Sequence, residues 1–358
     1  MGLRLCGVDF AEARSQFPVL ERQAYLNAGS NGPLPRAAVE AAQAWLERDL
    51  AQGRAGMPYI EELAGLREQV RAGFAEVVGA SPDQIALTDS TTRGCQIVVA
   101  GLGLAAGDEV VTTAEEHFGL LGPLHGSGAH VVVAAADEDA VLAAVTPRTR
   151  LIAVSHVLWT TGTRLDIARL QEAGLPVLVD GAQSAGALPP DLTGADYFTI
   201  SAQKWLCAAE PTGALFVREP EQLPVALPSY FAMTAHEPEG SYTARDGARR
   251  FDSGWLAGPI LSGLIVSLAC HPEWRYERAA ELAARCRELL EPLVEVVTPA
   301  GHSTLVSFRP VGDPGELVRS LDERGVIVRD ILGRGVVRAS CGWWTSEDDL
   351  ARLAEGVS

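Results

Sequence analysis

Tyr197-Phe198-Thr199-Ile200-Ser201-Ala202-Gln203-Lys204-Trp205 is the stretch from which the fold can be read. It sets a short apolar strand in front of Lys204, the only lysine of the 358-residue chain. A second apolar run, Val177-Leu178-Val179, delivers Asp180 with Gly181-Ala182-Gln183 behind it. A lysine and an aspartate at the ends of two nearby buried strands suit a site for pyridoxal 5'-phosphate (PLP). The amine can form a Schiff base with the cofactor's aldehyde, and the carboxylate can keep the pyridine nitrogen protonated. Each residue also has a plainer reading. Lys204 as a surface lysine is opposed by its apolar and aromatic flank, and Asp180 as the cap of a helix starting at Ala182 stays open.

Working outward, further apolar runs occupy residues 85–88, 109–112, 130–133, 151–154 and 214–217, with helical spacing at 93–102 and 140–144 between them. Continuous rather than alternating apolar strands, separated by helices, predict an α/β fold: a mainly parallel sheet with helices on both faces. Residues 37–50 and 59–78 read as two long amphipathic helices, the second stopped at Gly79. The stretch 219–250, with Pro220, Pro224, Pro228, Pro238 and Gly240, reads as irregular. Beyond it, helices are expected at 256–267, 273–290 and 346–353, the last opened by Ser346-Glu347-Asp348, and strands at 304–308, 326–328 and 336–339. The expected organisation is a large domain over residues 15–250 and a smaller α+β domain formed by 1–14 and 251–358.

Composition limits the function classes. A hydrophobic share of 47% with 21% charged residues describes a soluble globular protein, and a net charge of −17 opposes nucleic acid or an anionic membrane surface as partner. Six scattered cysteines (Cys6, Cys95, Cys207, Cys270, Cys286, Cys341) read as reduced thiols, neither a disulfide framework nor a zinc site. Charges at Arg4, Asp9 and Glu12 leave no apolar core for a signal peptide. No run approaches the roughly 18 apolar residues of a membrane helix. A cytoplasmic protein is expected.

A phosphate cradle is placed at Thr88-Asp89-Ser90-Thr91-Thr92-Arg93-Gly94, where free backbone N–H groups and hydroxyls converge as a strand gives way to a helix. An ordinary Ser/Thr helix cap is the competing reading. His117, in Thr113-Ala114-Glu115-Glu116-His117-Phe118-Gly119, offers a ring-stacking group after another strand. Thr91, His117, His156, Asp180 and Lys204 all fall at or near strand ends, where open α/β sheets bind ligands.

Asp180-Gly181-Ala182-Gln183, Ser201-Ala202-Gln203-Lys204-Trp205 and Thr212-Gly213-Ala214-Leu215 resemble the signature of class V aminotransferases, a group of fold-type I PLP enzymes that includes cysteine desulfurases and isopenicillin N epimerase-like enzymes. Tyr25-Leu26-Asn27-Ala28-Gly29-Ser30-Asn31-Gly32-Pro33-Leu34-Pro35 resembles the family's opening, and Val337-Arg338-Ala339-Ser340 its carboxylate-binding arginine segment. The ordered likeness runs from about residue 15 to the end. It implies that Lys204 bonds the cofactor and shuttles protons, Asp180 pairs with the pyridine nitrogen, Gln183 reaches the phenolic oxygen and His117 stacks on the ring. Thr91, Thr92, Ser201 and Gln203 would hold the phosphate. Arg338 would take the substrate carboxylate, with Ser30 on the substrate side. A homodimer with segment 250–259 reaching across the interface is implied as well.

The chain departs from the family in three places. No cysteine lies between Glu323 and Gly335, where desulfurases carry a nucleophilic one, and Cys207 and Cys341 are poor substitutes. Trp255 stands where a phosphate-binding threonine is usual, and Trp159 replaces an asparagine common in desulfurases; both put aromatic bulk near the expected pocket. The expected activity is on an α-amino acid, with transamination the leading label. β-Elimination by a C–S lyase comes second and epimerisation third. A PLP-fold protein retired to binding is the alternative outside catalysis, opposed by the intact Lys204 and Asp180. A nucleotide-binding protein lacks its glycine-rich loop.

Overall fold

The computed structural model describes residues 8–358. Cys6, Arg4 and the rest of residues 1–7, part of the 1–14 segment assigned above to the smaller domain, lie outside the described residues. Seven strands make the main sheet: β1 (Ile85–Thr88), β2 (Glu109–Thr113), β3 (His130–Ala134), β4 (Thr149–Ser155), β5 (Val177–Asp180), β6 (Tyr197–Ser201) and β7 (Gly213–Val217), in the order β1-β7-β6-β5-β4-β2-β3. Every pairing is parallel except those of β7, which runs against both β1 and β6.

The apolar runs lack alternation because both faces are covered. Ile152 and Val154 of β4 face a core shared with Val70 and Phe74 of α2 (Met57–Val78). Leu151 and Ala153 face the opposite core, with Cys95 and Val98 of α3 (Thr91–Leu102) and Leu120 and Leu124 of α4 (Phe118–Gly126). Helix α1 (Arg36–Gln52) and α2 each pack on α5 (Gly258–Ala269), whose Leu261 and Leu264 join the first core. The sequence placed the start of α5 at 256; Pro259 in its first turn, where no backbone donor is needed, sets the later start.

A second, antiparallel sheet follows: β8 (Glu295–Val296), β9 (Leu305–Arg309), β10 (Arg329–Ile331) and β11 (Val336–Ser340), ordered β8-β9-β11-β10. Leu282 and Leu290 of α6 (Arg275–Leu290) and Leu350 and Leu353 of α8 (Glu347–Val357) close its core over Val306, Phe308 and Val337. Between β9 and β10 runs α7 (Pro314–Glu323), which the sequence reading did not find. The run 326–328, expected as one strand, changes partner. Val326–Ile327 pairs in parallel with Ala24–Tyr25, and β10 then begins at Arg329. The segment read as irregular contains a short hairpin, Met233–His236 with Tyr242–Ala244.

This pairing carries the chain's opening into the site. Ala24 and Leu26 donate their amides to Gly325 and Ile327, and Leu26 accepts from Ser340 at 2.8 Å. Gly29 is thereby pressed against Arg338: a Cβ at that glycine would stand 2.7 Å from Nη2. Among the described residues no helix is long and apolar enough to cross a membrane.

Candidate active site

Strand ends build one cavity of about 300 Å³, and every residue to which the resemblance gave a cofactor or substrate role lines it: Lys204, Asp180, His117, Thr91, Thr92, Gln183, Ser201, Gln203, Arg338 and Ser30; His156, also placed at a strand end, is buried outside it against Phe198. Parallel register sets Ser155 of β4 beside Asp180 of β5, because all these strands finish on one edge. Asp180 accepts the amide of Ala182 on Oδ1 at 2.9 Å, but a turn and not a helix follows it, so the helix-cap reading does not hold, and the residue lines the cavity.

Lys204 follows β6 and is partly buried. Burial pushes its amine down to about 8; Asp180 opposes that shift, and Arg338 and Arg329 add to it. His117 caps α4, accepting Gly119 N–H on Nδ1 at 3.0 Å, which puts any ring proton of the neutral form on Nε2. Burial, reinforced by the charge of Lys204, holds its pKa below the ordinary value, so the ring is neutral at pH 7. Its ring and that of Trp159 stand nearly perpendicular, with centroids 5.2 Å apart.

At one end of the cavity, α3 presents its first backbone amides beside Thr91 and Thr92. Ser90, its cap, accepts Arg93 N–H and donates to Asp89 at 2.6 Å, and it too lines the cavity. Ser201 donates to Gln203 at 2.8 Å. Hydroxyls and amides around a 12-residue helix start make an anion cradle.

At the other end, Arg338 of β11 is fully buried. Nη1 donates to the Trp159 carbonyl at 2.6 Å, while Nε and Nη2 have no partner among the described residues. Burial, with Arg329 adding to it, brings its pKa down to about 9. A buried cation with unpaired donors beside a cavity is arranged for an anion to complete it.

Four polar lining residues escaped the sequence reading. Arg329 donates to Ser30 Oγ at 3.1 Å and brings a second guanidinium to the cavity; the signal was a lone charge closing the run Val326-Ile327-Val328. Ser155 is held by the buried carboxyl of Glu116, which accepts its amide at 3.0 Å and its hydroxyl. Ser90 and Asn31 lie inside quoted motifs, but nothing in sequence separates them from their neighbours.

The aromatic substitutions divide. Trp159 lines the cavity. Trp255 does not belong to this chain's own cavity; it is 58% exposed and stacks on Tyr230 with planes 11° apart. Among the described residues no cysteine lines the cavity. Cys207 and Cys341 are fully buried, and the Cys207 thiol is pushed up by burial, whereas Cys341 is raised first by its contact with Cys286.

Comparison with known proteins agrees in extent and class. The family described as Aminotransferase class-V matches residues 24–353. An isopenicillin N epimerase from Streptomyces clavuligerus is 30% identical, over 98% of each chain. A cysteine desulfurase from Cronobacter sakazakii is 28% identical over 97% of each. Among solved structures, the complex of the cystine C–S lyase C-DES with its reaction product cysteine persulfide superposes with a TM-score of 0.88 at 29% identity, covering 95% of this chain and 99% of that one. A C-DES variant with glycine covalently linked to its PLP cofactor gives the same TM-score of 0.88.

Proposed function

Because the chain belongs to the class-V aminotransferase family, whose members are PLP-dependent enzymes, we propose that it is a β-eliminating lyase for a sulfur-bearing amino acid with a second acidic group, of which cystine is the model. The observation that carries this is the pairing of two guanidiniums, Arg338 and Arg329, in a lysine-bearing cavity that no thiol lines.

The cavity fits the cofactor. The cradle at the start of α3 suits its phosphate, and Asp180 suits a protonated ring nitrogen. Lys204 is the only side-chain amine available. When bound, PLP supplies an electron sink for the charge that develops at the substrate's α-carbon. Asp180 holds positive charge on the ring nitrogen. Gln183 keeps one amide hydrogen for the ring oxygen, since its other one is bound to Gly29. His117 covers the ring face. Thr91, Thr92, Ser201 and Gln203 fix the phosphate.

Arg338 orients the substrate through its α-carboxylate, and Arg329 takes the distal acidic group. Lys204 Nζ, with a pKa already near working pH, removes the α-proton and returns one to the departing amine nitrogen. Cystine and one water would then yield pyruvate, ammonia and cysteine persulfide, the water supplying the keto oxygen and no protein thiol taking part. Epimerisation asks for bases on both faces of the α-carbon. Besides Lys204, the only amine or imidazole among the described lining residues is His117, whose Nδ1 is already bound.

Incubation of the PLP-loaded protein with cystine tests the reading: pyruvate should accumulate with no 2-oxo acid added. Strict dependence on a 2-oxo acid acceptor restores the transaminase label. Arg329→Ala should raise KM for cystine more than for singly acidic S-alkyl cysteines.

Assembly as a homodimer is part of this proposal, supported by the exposed Trp255–Tyr230 stack on the segment expected to reach across. Light scattering at the mass of one chain removes it. The free, buried cysteines of the described residues support a reducing, cytoplasmic setting.

A further inference from the structure

Trp159 contributes two polar groups to the site, and only one has a partner. Its carbonyl accepts Nη1 of Arg338 at 2.6 Å, fixing the guanidinium. Its indole Nε1 is buried with no hydrogen-bond partner among the described residues, as are Nε and Nη2 of the same arginine. Both residues line the Lys204 cavity. Tryptophan N–H is a donor only, and buried indoles ordinarily find an acceptor. The two residues touch through the Trp159 carbonyl, and a single acceptor with several lone pairs in the cavity they share could serve all three unpaired donors.

An ionised carboxylate is such a group: it has two oxygens, accepts several hydrogen bonds, and forms its strongest ones with charged donors. A water molecule has too few acceptor sites for three donors. We propose that the Trp159 indole N–H is a substrate-binding donor, completing with Arg338 Nε and Nη2 a three-donor pocket for the substrate α-carboxylate. The inference rests on the reading of Arg338 as the carboxylate anchor and adds a residue to it. Trp159 would then make the cavity discriminate amino acids from simple amines, besides keeping its ring contact with His117.

The test is equilibrium binding to the PLP-loaded protein, read from the cofactor's absorbance band, with L-alanine and its decarboxylated counterpart ethylamine as probes. Trp159→Phe keeps the ring and removes only the N–H. It should weaken L-alanine about tenfold, one hydrogen bond to a charged group, while leaving ethylamine and the PLP dissociation constant within twofold. Trp159→His restores a ring N–H and should bind L-alanine more tightly than Trp159→Phe. Equal weakening of both probes, an unchanged L-alanine affinity, or a loss confined to PLP affinity would overturn the proposal; the last result would assign the indole to the cofactor instead. Arg338→Lys separates the two layers of argument. If it leaves L-alanine binding intact, the carboxylate anchor itself is wrong. If it weakens L-alanine while Trp159→Phe does not, only the role of Trp159 falls.

Discussion

The indole of Trp205 donates to Oε1 of Gln183 at 3.1 Å. Together with the bond from Gln183 Nε2 to the Gly29 carbonyl at 2.9 Å, it locks the amide so that a single N–H remains for the cavity. Trp205→Phe removes the lock and keeps the ring. PLP affinity should fall about fivefold, the worth of one neutral hydrogen bond near 1 kcal/mol. Absorbance titration of cofactor-free protein checks this, and an unchanged affinity would show that Gln183 needs no such support.

Lys204→Ala should abolish turnover with the fold retained, because no other lysine exists to replace its amine. Circular dichroism and a sensitive product assay decide the point. Residual activity above about one part in a hundred of wild type would move the α-proton transfer to another residue, since loss of a general base costs about 10²–10⁴-fold.

Glu116 gives stability an unusual pH dependence. Burial raises its carboxyl to about 7 against hydrogen bonds from Ser155 and Thr113, with the charge of Asp180 adding to the rise. Its folded pKa lies above the unfolded value of 4.5, so between these values the folded chain keeps a proton that the unfolded chain has lost. Stability therefore falls as pH rises through that window and levels off above it, by about 3 kcal/mol in all. Glu116→Gln should remove the fall. Urea unfolding at pH 5 and pH 8 measures it, and an equal wild-type-to-variant difference at both values contradicts the assignment.

The strands could be read because both sheet faces are covered, which turns β4 and β5 into unbroken apolar runs. Lys204 and Asp180 stood out as charges at the ends of such runs. Helix α4 could not be read. Phe118-Gly119-Leu120-Leu121-Gly122-Pro123-Leu124 has no polar face, and its glycines and proline argue against a helix it forms anyway by packing Leu120 and Leu124 on the sheet. Arg329 was hidden because its run switches partner from Ala24–Tyr25 to β11. The bond of Glu116 to Ser155 spans 39 residues and depends on strand order, which no local pattern states.

Asp252 is 2% exposed and accepts from Arg71 at 3.0 and 2.8 Å and from Arg67 at 2.8 Å, as well as from the Leu87 amide. It ties α2 to β1 and to the stretch leading to Trp255. Asp252→Ala strands two buried guanidiniums and should destabilise the protein by about 3–5 kcal/mol. Replacing all three by apolar residues should be far milder than that single change. Denaturant midpoints for the two variants settle it.

Cys207→Ala and Cys341→Ala should each keep most of the activity on the true substrate, because buried thiols held above their ordinary pKa are poor nucleophiles. Mass spectrometry after turnover should find no persulfide on either. A trapped persulfide would make the chain a desulfurase.

The parallel pairing of Ala24–Tyr25 with Val326–Ile327, and the seat of Gly29 against Arg338, bear on how the protein is made. On the ribosome, a nascent chain released as far as residue 320 has all seven strands of its main sheet, with Lys204 and Asp180 at their ends. It still lacks both guanidiniums, Arg329 and Arg338, on which the proposed carboxylate binding depends. The chain's opening must wait for some three hundred residues of synthesis before it meets its partner strand, so cofactor capture can precede substrate recognition during biosynthesis.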